Sequence, residues 1–158
     1  MRVLIAFILI GCFPKLSQGQ GEQYFVDSSI LNGDGLSWAT AFSDLNDAIR
    51  EANPGDTILL ASGTYYPTLG TDRNARFDLE DSLIIIGGFV GLGHSPGNPL
   101  EIDPLNKSIL SGDIGIRGDS LDNSYHILYA DGKSGLELGM ALSTNFILSI
   151  FLYRQSFH

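Results

Sequence analysis

Gly55-Asp56-Thr57-Ile58-Leu59-Leu60-Ala61-Ser62-Gly63-Thr64-Tyr65 is the stretch on which the fold turns. Its centre, Thr57–Leu60, is short and apolar on both faces, the pattern of a buried parallel strand. Gly63 supplies conformational freedom where the chain must turn a corner, and Gly88 does the same further on. Similar short apolar runs follow at Leu83–Ile86, Ser108–Leu110 and His126–Tyr129. The centres of the four, near Leu59, Ile85, Ile109 and Leu128, lie 26, 24 and 19 residues apart. No helical period fills the gaps. Pro67–Asn74, Gly87–Pro99 and Gly112–Asn123 read instead as turns rich in Gly, Pro, Asn and Asp. Parallel strands need a long return connection, usually a helix. A coil of strands and turns that stacks on itself meets the same need, because each coil buries its apolar positions against the next. An antiparallel sandwich would show tighter spacing, shorter hairpin turns and cleaner alternation. The expectation is a mainly β chain of about four stacked coils.

Upstream, Tyr24–Asp27 is a β-prone run, followed by a loop at Asn32-Gly33-Asp34-Gly35 whose residues tolerate positive φ. Trp38 ends that loop. A helix is expected over about Asp44 to Ala52, because Phe42, Leu45, Ala48, Ile49 and Ala52 share one face. Ser43 reads as its N-cap, Asp44 and Arg50 suit the two ends of the dipole, and Asn53-Pro54-Gly55 stops it. One apolar stripe means that the helix lies on something with its polar side in water.

These segments in series carry a family likeness. The Gly55–Tyr65 stretch resembles the opening strand of pectin-lyase-like right-handed parallel β-helix proteins. Asp34-Gly35-Leu36-Ser37-Trp38-Ala39-Thr40-Ala41-Phe42 with the helix behind it, Ile86-Gly87-Gly88-Phe89, and Leu110-Ser111-Gly112-Asp113-Ile114-Gly115 resemble the segments that flank it. The likeness spans about residues 23–133 and is similar to the N-terminal region of large bacterial surface and secreted proteins. It implies a right-handed parallel β-helix whose first coil is capped by an α-helix. The cap would hide both the open strand edge, which would otherwise template aggregation, and the end of the core. One fold hosts many functions, so the likeness speaks for fold more than for activity.

Nine Lys and Arg against eighteen Asp and Glu give a formal charge of -9. Such acidity argues against a nucleic-acid partner, which would need a basic stripe. It suits a solvated extracellular surface or one that collects divalent cations. With 44% apolar residues the chain is too hydrophobic for low-complexity disorder.

Residues 1–19 read as a signal peptide: Arg2, then the apolar run Val3–Ile10, then Pro14 and a small-x-small site at Ser17-Gln18-Gly19. The run is too short to span a bilayer, and beyond this leader no transmembrane segment is expected. Leu9-Ile10-Gly11-Cys12 also resembles a bacterial lipobox, so an anchor through Cys12 is the competing outcome. Cys12 is the single cysteine, and it lies in the leader. The mature domain therefore has no disulfide, and no Cys/His cluster supports zinc. The expected organisation is leader 1–19, cap and first coils 22–133, and an atypical hydrophobic tail 134–158.

After Glu137-Leu138 the tail departs from the family pattern. Gly139–Ser143 can be back-translated so that a shifted frame reads Asp-Gly-Phe-Ile, the continuation that the family implies. This motivates a frameshift near Gly139, and an open downstream frame encoding further coils is what sequencing the locus would have to find. The alternative is a native strand at Phe146–Tyr153.

Asp113, Asp119, Asp122 and Asn123 share one Gly-rich loop and form the candidate calcium set, since calcium takes hard oxygens from flexible loops. The competing reading is a solvated turn whose side chains bond their own backbone. It is preferred, because calcium needs six or more oxygens and the loop offers few. Arg117-Gly118-Asp119-Ser120 contains an integrin-type tripeptide, a match short enough to arise by chance. Asn106-Lys107-Ser108 is a glycosylation sequon. Polysaccharide lyases on this fold pair acidic calcium ligands with a basic residue. Arg73, Arg76 and Lys133 are the available bases, and nothing in the spacing unites them with the Asp loop. His94 falls in a Gly/Pro loop, and His126 is expected to pack at a strand edge. No catalytic set is assigned, and no cofactor beyond the candidate Ca²⁺. The reading is a secreted or cell-surface β-helix scaffold that contacts extracellular polysaccharide or other cell-surface components. The alternatives are an N-terminal piece of a polysaccharide lyase or glycoside hydrolase, and a truncated product without function.

Overall fold

Short apolar runs separated by polar turns fold here into a mainly β structure with one α-helix, seen in a computed structural model. The described residues are 21–31, 33–92, 101–102, 105–130 and, for the backbone alone, 137–140. The leader 1–19, His94, Lys133 and the run Phe146–Tyr153 lie outside them.

The strands are β1 (Gln23–Val26), β2 (Thr57–Ala61), β3 (Gly63–Tyr65), β4 (Phe77–Asp78), β5 (Ile84–Phe89), β6 (Ser108–Leu110), β7 (Leu128–Tyr129) and β8 (Glu137–Met140). They form three sheets, ordered β1-β2-β5-β8, β3-β6 and β4-β7, and every pair of neighbouring strands is parallel. Register is fixed at Ile58↔Ile85, Thr64↔Ile109 and Phe77↔Leu128. This corrects the expected stacking of four successive coils. Only the runs at Thr57 and Ile84 pair with each other. Ile109 pairs with Thr64 in the second sheet and Leu128 with Phe77 in the third. The near-even spacing of the four runs mixed strands from different faces.

The first sheet is apolar on both sides. Tyr24, Val26, Ile58, Leu60 and Ile85 face the main core, which also takes Tyr65, Phe77, Leu83, Leu110 and Ile127. On the opposite side Leu59 and Phe89 pack with Trp38, and Phe25, Ile86 and Ile102 lie against them. The Trp38 ring meets Phe25 edge-on at 5.0 Å and Phe89 at 5.6 Å. Strand β5 runs past Ile86, where a turn was expected, through Gly87 and Gly88 to Phe89. Leu59 pairs with Ile86 and Ala61 with Phe89, so β5 carries one extra residue, a bulge. Gly88 has φ 93° there, a conformation that a side chain would strain.

The helix α1 spans Leu45–Glu51 and lays Leu45, Ala48 and Ile49 on the core, with Ala52 just beyond its end, as the periodicity predicts. Its N-cap is Asp44 rather than Ser43: the Asp44 carboxylate accepts from Asn46 N at 2.9 Å. A carboxylate at this end also meets the positive end of the dipole. The helix covers the core, but it is not what covers the strand edge. Phe25 N donates to Gly35 O at 2.8 Å, Phe42 N to Phe25 O at 2.9 Å, and Asp27 N to Phe42 O at 2.8 Å. The 35–42 segment, with a short 3-10 turn at Trp38–Thr40, therefore satisfies the outer edge of β1. The sequence expectation had assigned both tasks to the helix.

Candidate functional site

The loop between β6 and β7 brings Asp113, Asp119, Asp122 and Asn123 together, but it turns their oxygens inward. Gly118 N donates to both Asp113 carboxylate oxygens at 3.0 and 3.1 Å. Ile116 N donates to Asp122 Oδ2 at 2.7 Å and Leu121 N to Asp119 Oδ1 at 2.9 Å. The Asn123 amide, oriented to satisfy its surroundings, donates to Asp119 O at 3.1 Å and Asp113 Oδ1 at 3.3 Å. Each carboxylate thus caps backbone of its own loop. Among the described residues no three His, Cys, Asp or Glu side chains gather where they could hold a metal ion. In the Arg117-Gly118-Asp119 tripeptide the Arg117 guanidinium lies 3.4 Å from the centre of the Tyr66 ring.

Arg73 does reach this loop, a link that the spacing did not reveal. Its Nε donates to Asn123 O at 2.9 Å, and its guanidinium stacks 4.3 Å from the Tyr125 ring centre. Arg76 stands apart from the loop: Nε donates to Asp78 Oδ1 at 2.7 Å and the guanidinium covers the Tyr129 ring at 3.7 Å. Both rings remain substantially exposed. His126 is exposed too, which corrects its expected packing: the inward position before β7 is taken by Ile127.

Beside Arg76 runs a groove of about 820 Å³ between α1 and the third sheet. Asp44, Asn46 and Arg50 line it from the helix side, Arg76, Asp78 and Glu80 from the sheet side, and Pro67, Thr68 and Leu69 close one wall. Asn46 Nδ2 donates to Pro67 O at 3.2 Å and so fixes the wall to the helix. Arg50 pairs with Asp47 on the exposed side of α1. The groove therefore offers carboxylate, amide and guanidinium groups, with the Arg-covered Tyr129 ring beside it. This chemistry can hydrogen-bond a hydroxyl-rich ligand.

Three buried polar side chains escaped the sequence reading. Asp27, fully buried, accepts from Ser29 N at 3.0 Å, Ser29 Oγ at 2.5 Å and Leu92 N at 3.1 Å. A side chain on Gly91 (φ 70°) would run into the Asp27 carboxylate, so glycine is what lets the chain approach it. Asp56 accepts from Glu22 N and Asn53 N, both at 2.7 Å, and so ties the start of β1 to the chain leaving α1. Ser108 Oγ, the hydroxyl of the sequon, donates to Ala61 O at 2.8 Å and accepts from Gly88 N at 3.0 Å. The legible signal was an Asp or Ser abutting an apolar run, a place where buried backbone donors and acceptors need partners. The Tyr65 hydroxyl sits in the same region, 3.0 Å from Ala61 O, and burial together with the nearby Asp27 charge pushes its pKa well up. On the surface Asp34 is held below its usual range by the Thr40 hydroxyl, at 2.6 Å, and by Leu36 N.

Comparison with known proteins finds no matching family model, curated protein or solved structure. Among the described residues no helix is long and apolar enough to cross a membrane.

Proposed function

We propose that the chain is the N-terminal part of a right-handed parallel β-helix of the pectin-lyase-like kind, working as a secreted or cell-surface binding scaffold. One observation carries the reading: β2, β3 and β4 recur as β5, β6 and β7 in the same order, each parallel to its counterpart. Two successive turns of a three-sided coil have this pairing, with β1 above them and β8 below. Parallel crossovers are right-handed in nearly all proteins. The returns differ in length, 27 residues from Thr57 to Ile84, 45 from Gly63 to Ser108 and 51 from Phe77 to Leu128, because the turns absorb the insertions. The leader-like residues 1–19 support export.

The partner is an extracellular polysaccharide, bound along the groove between α1 and the third sheet. A net charge of -9 favours a neutral polymer over a polyuronate. Two experiments test the two parts separately. Thr64→Cys with Ile109→Cys should oxidise to an intramolecular disulfide in the folded protein, because the two positions are register neighbours. Failure to cross-link in a folded sample overturns the winding. Electrophoresis through gels containing hydroxyethylcellulose should retard the chain, and Asp78→Asn should reduce the retardation. Unchanged mobility of a correctly cross-linked protein overturns the polysaccharide and leaves the winding standing.

A further inference from the structure

We draw no further inference here: the strongest candidate, the patch of exposed Leu69, Ile116 and Leu121 on the adjoining loops joined by the Gly115 N to Gly70 O hydrogen bond, is an unpartnered apolar surface, and nothing in the structure shows what covers it.

Discussion

The first and third sheets are built from parallel strands of the same chain, yet they are held by different forces. Strands β1, β2 and β5 of the first sheet are four to six residues long and apolar on both faces, with the main core on one side and the Trp38 cluster on the other. The third sheet has two residues per strand. Phe77 and Leu128 face the core, and Asp78 and Tyr129 face out, where Arg76 bonds one and stacks on the other. The first sheet would bury apolar surface wherever its strands paired. The third is anchored from within by Phe77 and Leu128, and its outer face carries the polar contacts of Arg76. That division places the groove on the third sheet.

The sharpest way to break this contrast is at its anchor. Phe77→Ala removes a fully buried ring and should cost about 3–5 kcal/mol in urea unfolding. Phe25→Ala, on the outer side of the first sheet and only partly buried, should cost clearly less. Equal losses would mean that the two sheets are held alike. Next comes the polar stitching of the first sheet. Asp27→Ala strands the Ser29 and Leu92 backbone donors, at about 1–3 kcal/mol for each donor left unpaired. Calorimetry should show a lower Tm with no change in secondary structure.

Ser82 sits in the turn before β5 at φ 56°, a left-handed conformation that is costly for a side chain. Ser82→Gly should relieve about 1 kcal/mol of that strain, set against glycine's greater freedom when unfolded, so a small net gain in Tm is expected. A loss would show that the turn is held by the serine itself. Smaller still, Arg76→Ala removes a surface cation–π contact and an exposed ion pair, for about 0.5–1 kcal/mol. A larger loss in a chemical melt would make the outer face of the third sheet structural.

Alkaline titration probes the same contrast from within. Tyr65 has a raised pKa in the folded state, so its contribution is fully present below the ordinary value of about 10. Above that value the unfolded chain gives up the proton first, and stability falls as pH rises. Tyr65→Phe should flatten that decline in melts taken from pH 9 to 11.

Much of the first sheet could be read directly. A strand packed on both faces writes its burial as an unbroken apolar run, and Thr57–Leu60 and Leu83–Ile86 are recognisable for that reason. The helix was equally plain, its cap misplaced by one residue because Ser43 and Asp44 can both accept a backbone hydrogen bond. The third sheet was only half legible. Two-residue strands carry no period, so Phe77–Asp78 leaves no mark in the sequence, and Leu128–Tyr129 reads as one more coil of a single stack. The candidate site fared likewise. Asp113, Asp119, Asp122 and Asn123 were rightly read as one loop, but whether their oxygens faced a cation or their own backbone depends on how that loop closes.

The sequence by itself determined that the chain is mainly β, that its strands run parallel, and that one amphipathic helix covers the core, because hydrophobic pattern and connection length are local properties. Only the tertiary structure decided which strand lies beside which, since runs of similar apolarity are interchangeable until side chains pack. It alone brought Arg76 over Tyr129 and Arg73 to the loop at Asn123, pairings that depend on residues about 50 positions apart becoming neighbours. The same packing turned Asp27 and Asp56 from surface-type residues into buried acceptors, because the backbone N–H groups of Ser29 and Leu92, and of Glu22 and Asn53, find their partners in these carboxylates.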